Sequence, residues 1–361
     1  MNRLLLAAAS IVIIAMIANA LAQSPLSIAP ADPAIGYSGR FDTRDKAGPR
    51  CEWPASAITL KFSGAGLAVR FADTGDNFWQ VAIDGAPTAK IETRGSARAY
   101  PVATGLAQGE HIVTLTKATE SFAGITQFLG FDLTPGSKPL ALPAATPARR
   151  IEVIGDSISC GYGVEAANQH EHYTPQTQNA WLAYGAIAAR ALGADYTCIA
   201  WSGRKMWPDN TIPELYDLAL PTDPKSQWPF TTPAPDAIII NLGTNDFGGK
   251  FPDQEQWIAA YRKFIARLRT RYPKAAIYCA TGTMLGDGDA YGRNPKSTLL
   301  DCVQKIVAAE NAAGNANIRA LDFGQQNPAD GIGGDWHPSR KTHQLMAAKL
   351  TAALQKDLAW K

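Results

Sequence analysis

The chain has 361 residues, 46% of them hydrophobic and 18% charged, with a formal charge of +2. That length allows one large core or two ordinary ones, and near-neutrality gives no electrostatic ground for binding nucleic acid. Five cysteines (Cys51, Cys160, Cys198, Cys279 and Cys302) are too few and too scattered for a disulfide framework. One pair could bridge after export, and no Cys-x-x-Cys supports zinc or redox work.

At the N-terminus Arg3 precedes the apolar run LLLAAASIVIIAMIANALA, which closes on small residues. This is the layout of a secretory signal over residues 1–22, cut after Ala20 or Ala22, and it predicts a secreted or periplasmic protein. A retained membrane anchor is the other reading of so long an apolar stretch. With Arg3 removed, 33 basic side chains face 32 acidic ones. No later segment reaches the roughly 20 apolar residues of a membrane span, so no stable membrane association is expected after cleavage.

Residues 32–135 have a short, alternating rhythm. AITLKFSG, GLAVRFAD, FWQVAIDG, HIVTLTKA and GITQFLGFDL are brief apolar runs broken by Gly, Asp and Asn. Such runs predict antiparallel strands joined by tight turns, hence a small β-sandwich or jelly roll. A proline-rich stretch over 136–149 follows, expected as a linker or a surface strap.

From residue 150 to the end, strand and long helix alternate. Ile151–Ile154, DAIIINLG, KAAIYCA and NIRALDF read as buried strands. NAWLAYGAIAARALG predicts a helix ending at Gly193. PDQEQWIAAYRKFIARLRTRYP carries Trp257, Tyr261, Phe264 and Leu268 on one stripe, with a capping box at Asp253 and Gln256 and a stop at Pro273. STLLDCVQKIVAAE and the last helix, SRKTHQLMAAKLTAALQ, complete an order that predicts a mainly parallel sheet with helices on both faces. In such a sheet the loops leaving the strand carboxyl ends converge on a crevice.

Four corners of this second region carry polar groups suited to chemistry. Ser157, in GDSIS directly after the first strand, is either a nucleophile or an N-cap. In WSG, Gly203 can present an unobstructed N–H, or simply make a Ser-Gly turn, with Trp201 and Trp207 beside it. In GTND, Asn245 can aim its amide into the crevice, although Asn and Asp are also common turn formers. In DWHPS, His337 can take a serine proton and return it, while Ser339 caps the last helix. His170, Glu171 and His172 have no established zinc spacing.

Taken in order, GDSIS, WSG, GTND and DWHPS resemble the four blocks of the SGNH, or GDSL-type, hydrolases, matched by Ser157, Gly203, Asn245 and His337. With the preceding β region, the chain is similar to carbohydrate esterase family two, which joins a jelly-roll domain to an SGNH esterase domain. The resemblance implies removal of acetyl groups from acetylated xylan, glucomannan or their oligosaccharides, with no cofactor. It also implies an oxyanion hole from the Ser157 and Gly203 N–H groups and the Asn245 side chain. Trp336, next to His337, is the leading candidate for stacking on a sugar ring, with Trp207 and Trp201 as further candidates; core packing is the alternative. The superfamily's Asp three residues before the histidine is here Gly334. Asp335 is the expected acceptor for the His337 ring, the alternative being a loop carbonyl. A lipase or lysophospholipase with the same residues, and a non-catalytic carbohydrate-binding protein, are the competing functions.

Overall fold

The computed structural model describes residues 24–143, 149–231 and 233–360. The expected signal segment lies outside the described residues, as do residues 144–148 of the expected linker.

The first unit contains β1 (Leu26–Ile28), β2 (Ile35–Ser38), β3 (Arg50–Cys51), β4 (Ala57–Ser63), β5 (Leu67–Asp73), β6 (Asn77–Ile83), β7 (Ala86–Thr93), β8 (Arg98–Ala103), β9 (Glu110–Lys117), β10 (Thr126–Leu133) and β11 (Lys138–Leu140). They form two antiparallel sheets, β1-β10-β5-β8 with β3 beside β10, and β11-β4-β9-β6-β7 with β2 beside β4. Strict alternation sends Ile58, Leu60 and Phe62 of β4 and Val69 and Phe71 of β5 into the shared core. Phe71 stacks on Trp79 there, with ring centroids 4.7 Å apart. The proline-rich stretch contributes β11, where Pro139 lies opposite Phe62. Proline is tolerated in that place because β11 is the edge of its sheet.

The second unit holds a parallel sheet of β12 (Arg149–Gly155), β13 (Ala194–Ala200), β14 (Ala237–Asn241), β15 (Ala276–Thr281) and β16 (Ile318–Asp322), ordered β13-β12-β14-β15-β16. Its helices are α1 (Ser157–Cys160), α2 (Tyr184–Ala191), α3 (Ile212–Leu215), α4 (Thr244–Phe247), α5 (Gln254–Arg271), α6 (Pro295–Ala312) and α7 (Arg340–Leu358). On one face, Ile238 and Ile240 pack with α5 and α6 through Trp257, Tyr261, Phe264, Leu268, Leu299 and Ile306. On the other, Ile239 packs with α2 and α7 through Tyr184, Ala188, Met346 and Leu350. The antiparallel sandwich and the helix-covered parallel sheet expected from the sequence are both present.

The helix predicted over 179–193 is broken. Ala180–Leu182 is a 3-10 turn, and Ala183 is extended before α2 begins. The β unit holds the first part away from the helix axis: Ala180 N donates to Ala118 O (2.9 Å) and Asn179 Nδ2 to Gln80 Oε1 (3.0 Å).

The two units share a buried seam. Trp53, on the β side, packs into the core of the second unit and donates its indole N–H to Leu218 O at 3.1 Å. Arg40, also buried, donates to the carbonyls of Tyr216 and Leu218 and meets Glu152 at 3.5 Å. A buried guanidinium is tolerated because its charge meets a carboxylate and both terminal nitrogens find acceptors. Strand order reverses at β12, with β13 on one side and β14 on the other, so the crevice opens at the carboxyl ends of β12 and β14.

Candidate active site

β12 ends in Gly155-Asp156-Ser157, and tight packing dictates the glycine. A Cβ at Gly155 would stand 2.1 Å from Ser159 Oγ and 3.2 Å from Asn241 O. Asp156 is the helix cap, its Oδ1 accepting from Ile158 N at 3.0 Å. Ser157 therefore does not cap; it occupies the first helical position with its hydroxyl released for other work. Burial, reinforced by the nearby Asp246 charge, pushes the Asp156 carboxyl up to about 7.

The structure brings His337 to this corner across 180 residues, with Nε2 2.9 Å from Ser157 Oγ. The other ring nitrogen, Nδ1, faces two carbonyls, Asp335 O at 3.0 Å and Gly334 O at 3.1 Å. Carbonyls only accept, so Nδ1 carries the proton and Nε2 presents a lone pair to the serine hydroxyl. Burial holds the imidazole below its ordinary pKa, against the smaller pull of the two carbonyls.

The expectation that the Asp335 carboxylate would accept from His337 is not met. Asp335 and Trp336 both adopt left-handed backbone, at φ 49° and 64°, which turns the Asp335 side chain away from the ring. Its carboxylate accepts from His172 Nδ1 (2.7 Å), Tyr173 N (2.8 Å) and Tyr162 OH (3.0 Å). The His172 bond holds it below the usual carboxylate range. A residue with a side chain does not fit at Gly334 either, since a Cβ there would lie 2.8 Å from Glu171 O and 2.9 Å from Ala166 Cβ. The Tyr162 ring then lies against His337, with centroids 4.2 Å apart, and stacks on Tyr173 at 4.6 Å.

The two remaining corners also converge on the crevice. Trp201–Arg204 is a turn closed by Arg204 N donating to Trp201 O at 3.2 Å. Gly203, at φ 75°, occupies the position of that turn that favours glycine. Among the described residues, neither the Ser157 N–H nor the Gly203 N–H donates to a protein acceptor. Asn245 is the second residue of α4, and its Nδ2 donates to Arg204 O at 2.9 Å, with Asp156 Oδ2 a longer 3.5 Å away. Asp246 holds the Gly203 loop from below, accepting from Met206 N (3.1 Å), Trp207 N (3.0 Å) and Trp257 Nε1 (2.8 Å).

The three tryptophans differ. Trp201 and Trp207 are partly buried and pack against the core of the second unit, so their rings are largely committed to it. Trp336 is 57% exposed and borders a cleft of about 490 Å³ lined also by Asn168, Gln169, Gln325 and Gln326. Sequence reasoning missed Tyr162, Tyr173 and the true partner of Asp335. The signal available was the aromatic-rich GYG following the serine block, which has no meaning until His337 is folded over it.

A serine hydroxyl bonded to an unprotonated imidazole nitrogen, at the carboxyl edge of a helix-covered parallel sheet, defines a carboxylic ester hydrolase of the GDSL kind. Residues 153–345 match the GDSL-like Lipase/Acylhydrolase family, and residues 37–143 match Carbohydrate esterase 2 N-terminal. One similar protein is a cellulase/esterase, CelE, of Acetivibrio thermocellus, 38% identical over 91% of this chain; the chain spans 40% of its length. Another, an acetylxylan esterase / glucomannan deacetylase of Cellvibrio japonicus, is 32% identical, with 84% of each chain covered. The structure of a family two carbohydrate esterase from Clostridium thermocellum in complex with cellohexaose superposes with a TM-score of 0.86 at 37% identity, covering 91% of this chain and all of that one. The chain belongs to carbohydrate esterase family two.

Proposed function

We propose that this protein removes O-acetyl groups from plant polysaccharides, acetylated xylan or glucomannan, or from their oligosaccharides, through an acetyl-enzyme on Ser157. The carrying observation is the 2.9 Å contact between Ser157 Oγ and the lone pair of His337 Nε2, with Nδ1 tied to two carbonyls. Ser157 attacks the acetyl carbonyl while Nε2 takes its proton, and the carbonyls of Gly334 and Asp335 steady the imidazolium that results. The oxygen that becomes negative is received by the unused N–H groups of Ser157 and Gly203. Asn245 adds its second amide proton, which leaves the long 3.5 Å contact to Asp156 Oδ2 while the first stays on Arg204 O. Donors of this kind are worth about 3 kcal/mol each, so they carry much of the acceleration. The imidazolium protonates the departing sugar alcohol, and water repeats the cycle on the acetyl group.

Support for a sugar substrate comes from the cleft beside Trp336. An exposed indole face with four planar amides around it suits a pyranose ring, which offers C–H faces and hydroxyl edges. A lipid chain favours a continuous apolar groove instead. The related acetylxylan esterase / glucomannan deacetylases point to the acetyl group and to these backbones. The reading includes export, since these polymers lie outside the cell. The test is acetate release from acetylated xylan and glucomannan, followed by NMR. Release should disappear in Ser157→Ala, and 4-nitrophenyl acetate should be preferred over the octanoate ester. Normal release by Ser157→Ala removes the serine from its role, and equal octanoate activity removes the preference for an acetyl group.

A further inference from the structure

Residues 117–122, at the end of β9, bring the β unit against the Ser202–Gly203 turn. Glu120 in that segment is completely buried. Its carboxylate accepts from Ser202 N at Oε2 and from Ser202 Oγ at Oε1, both at 2.5 Å. Oε1 also accepts from Gln178 Nε2 at 2.9 Å. Lys117, equally buried, fixes the segment from behind, its ammonium donating to Thr119 O (3.0 Å) and Glu120 O (3.3 Å). Gln178 ties Glu120 to the nucleophile side as well, because the same amide lies 3.3 Å from Cys160 O at the end of α1.

Ser202 immediately precedes Gly203. A grip on both the N–H and the hydroxyl of Ser202 fixes that residue through backbone and side chain together. The turn bond from Arg204 N to Trp201 O closes the loop around it, and Asn210 Nδ2 holds Gly203 O at 3.1 Å. The Gly203 N–H, by contrast, has no acceptor among the described residues. No crowding dictates the glycine, since a Cβ there would meet nothing within 4 Å; its φ of 75° does. A buried carboxylate is costly to desolvate, and a seam that only needed filling would be served by an apolar side chain.

We propose that Glu120 of the β unit is a positioning residue of the hydrolytic reaction, holding the Ser202–Gly203 turn so that the Gly203 N–H meets the developing oxyanion. This rests on the reading of Ser157 and Gly203 given above. The sandwich then completes the active site from a separate fold unit, through a single carboxylate.

Glu120→Gln keeps the shape but sets an amide NH2 against a donor whichever way it turns, Ser202 N in one orientation and Gln178 Nε2 in the other. Misaligning one oxyanion donor lowers kcat by on the order of 10²-fold. The experiment measures kcat and KM on 4-nitrophenyl acetate for wild type, Ser157→Ala, Glu120→Gln, Ser202→Ala and the Glu120→Gln/Ser202→Ala double variant, with thermal unfolding as the check on folding. Expected for Glu120→Gln is a kcat lower by about 100-fold with KM within about threefold, because the donor acts on the transition state. Ser202→Ala retains the main-chain bond and loses about tenfold in kcat; added to Glu120→Gln it costs almost nothing more, since both act through one contact. A folded Glu120→Gln with wild-type kcat, alongside an inactive Ser157→Ala, overturns the role of Glu120 and leaves the hydrolytic reading standing. Wild-type activity in Ser157→Ala overturns both. Should Glu120→Gln fail to fold, Ser202→Ala decides: a tenfold drop in kcat at constant KM upholds the proposal, and an unchanged kcat ends it.

Discussion

The Ser157 corner and the His337 loop meet at one hydrogen bond but are built by opposite means. Ser157 stands between a buried central strand and a capped helical turn, and its neighbours Gly155, Asp156 and Ile158 are all buried. His337 stands in an irregular loop with two consecutive left-handed residues, tied down by Gly334 N to Gly163 O (2.9 Å), Asp335 N to Glu171 O (3.1 Å) and Gly333 N to His337 O (2.8 Å). Regular secondary structure positions the nucleophile, whereas contacts to the 163–173 segment position the base. Changes to the packing around the serine should therefore be felt in stability, and changes in the His337 loop in turnover.

The largest effect tests the base itself. His337→Ala should reduce kcat/KM on 4-nitrophenyl acetate by on the order of 10⁴-fold with little change in unfolding temperature. A loss below tenfold would mean that another group takes the serine proton.

Next comes the packing of the serine corner. Gly155→Ala forces a methyl group against Ser159 Oγ and should destabilise the fold by about 2 kcal/mol, roughly a 30-fold change in the unfolding equilibrium. Urea unfolding measures it, and an unchanged midpoint contradicts so tight a corner.

The pH profile probes the environment of the imidazole. Only neutral His337 accepts the serine proton, so kcat/KM should fall about tenfold per pH unit below its pKa. Burial lowers that pKa, which places the midpoint of the acid limb below the ordinary imidazole value of about 6.5. A midpoint above 7 would indicate a carboxylate partner raising it.

The smallest effect is the most discriminating. With the His337 ring held by carbonyls, Asp335→Asn should cost less than about tenfold in kcat, where a carboxylate acting directly on the ring is worth about 10⁴. The residual loss reports on Tyr162, His172 and Tyr173, which the carboxylate gathers against the back of the loop. His172 is 92% exposed at its side chain, so its bond to Asp335 contributes little energy of its own.

Much of this architecture could be read along the chain because it is local. The alternating runs of β4 and β5 bury one face by period two, and the Trp257, Tyr261, Phe264 and Leu268 stripe buries one face of α5. β7 and β8 escaped notice because most of their side chains are exposed, which leaves no strong apolar rhythm. β11 was hidden by its proline, Pro139, tolerated only because the strand lies at an edge. The broken helix before α2 could not be foreseen, since its cause is the pull of Ala118 and Gln80, 60 and more residues away.

Ser157, Gly203, Asn245 and His337 were legible because each sits at a short, distinctive corner, and strand-to-loop order alone directs such corners to one edge of a parallel sheet. What the ring of His337 leans on was not legible. Two residues of separation allow the Asp335 carboxylate or its carbonyl equally, and the left-handed backbone imposed by docking against Gly163 and Glu171 selects the carbonyl. The same holds for Glu120, which by sequence is an unremarkable acid after a strand; only the apposition of two folded units buries it against the turn that carries Gly203. Local pattern sets which elements form and which corners are polar, because strand and helix periodicity act between near neighbours. The partner of each buried polar group is decided by tertiary packing, because desolvation forces it to bond with whatever the fold brings within about 3 Å.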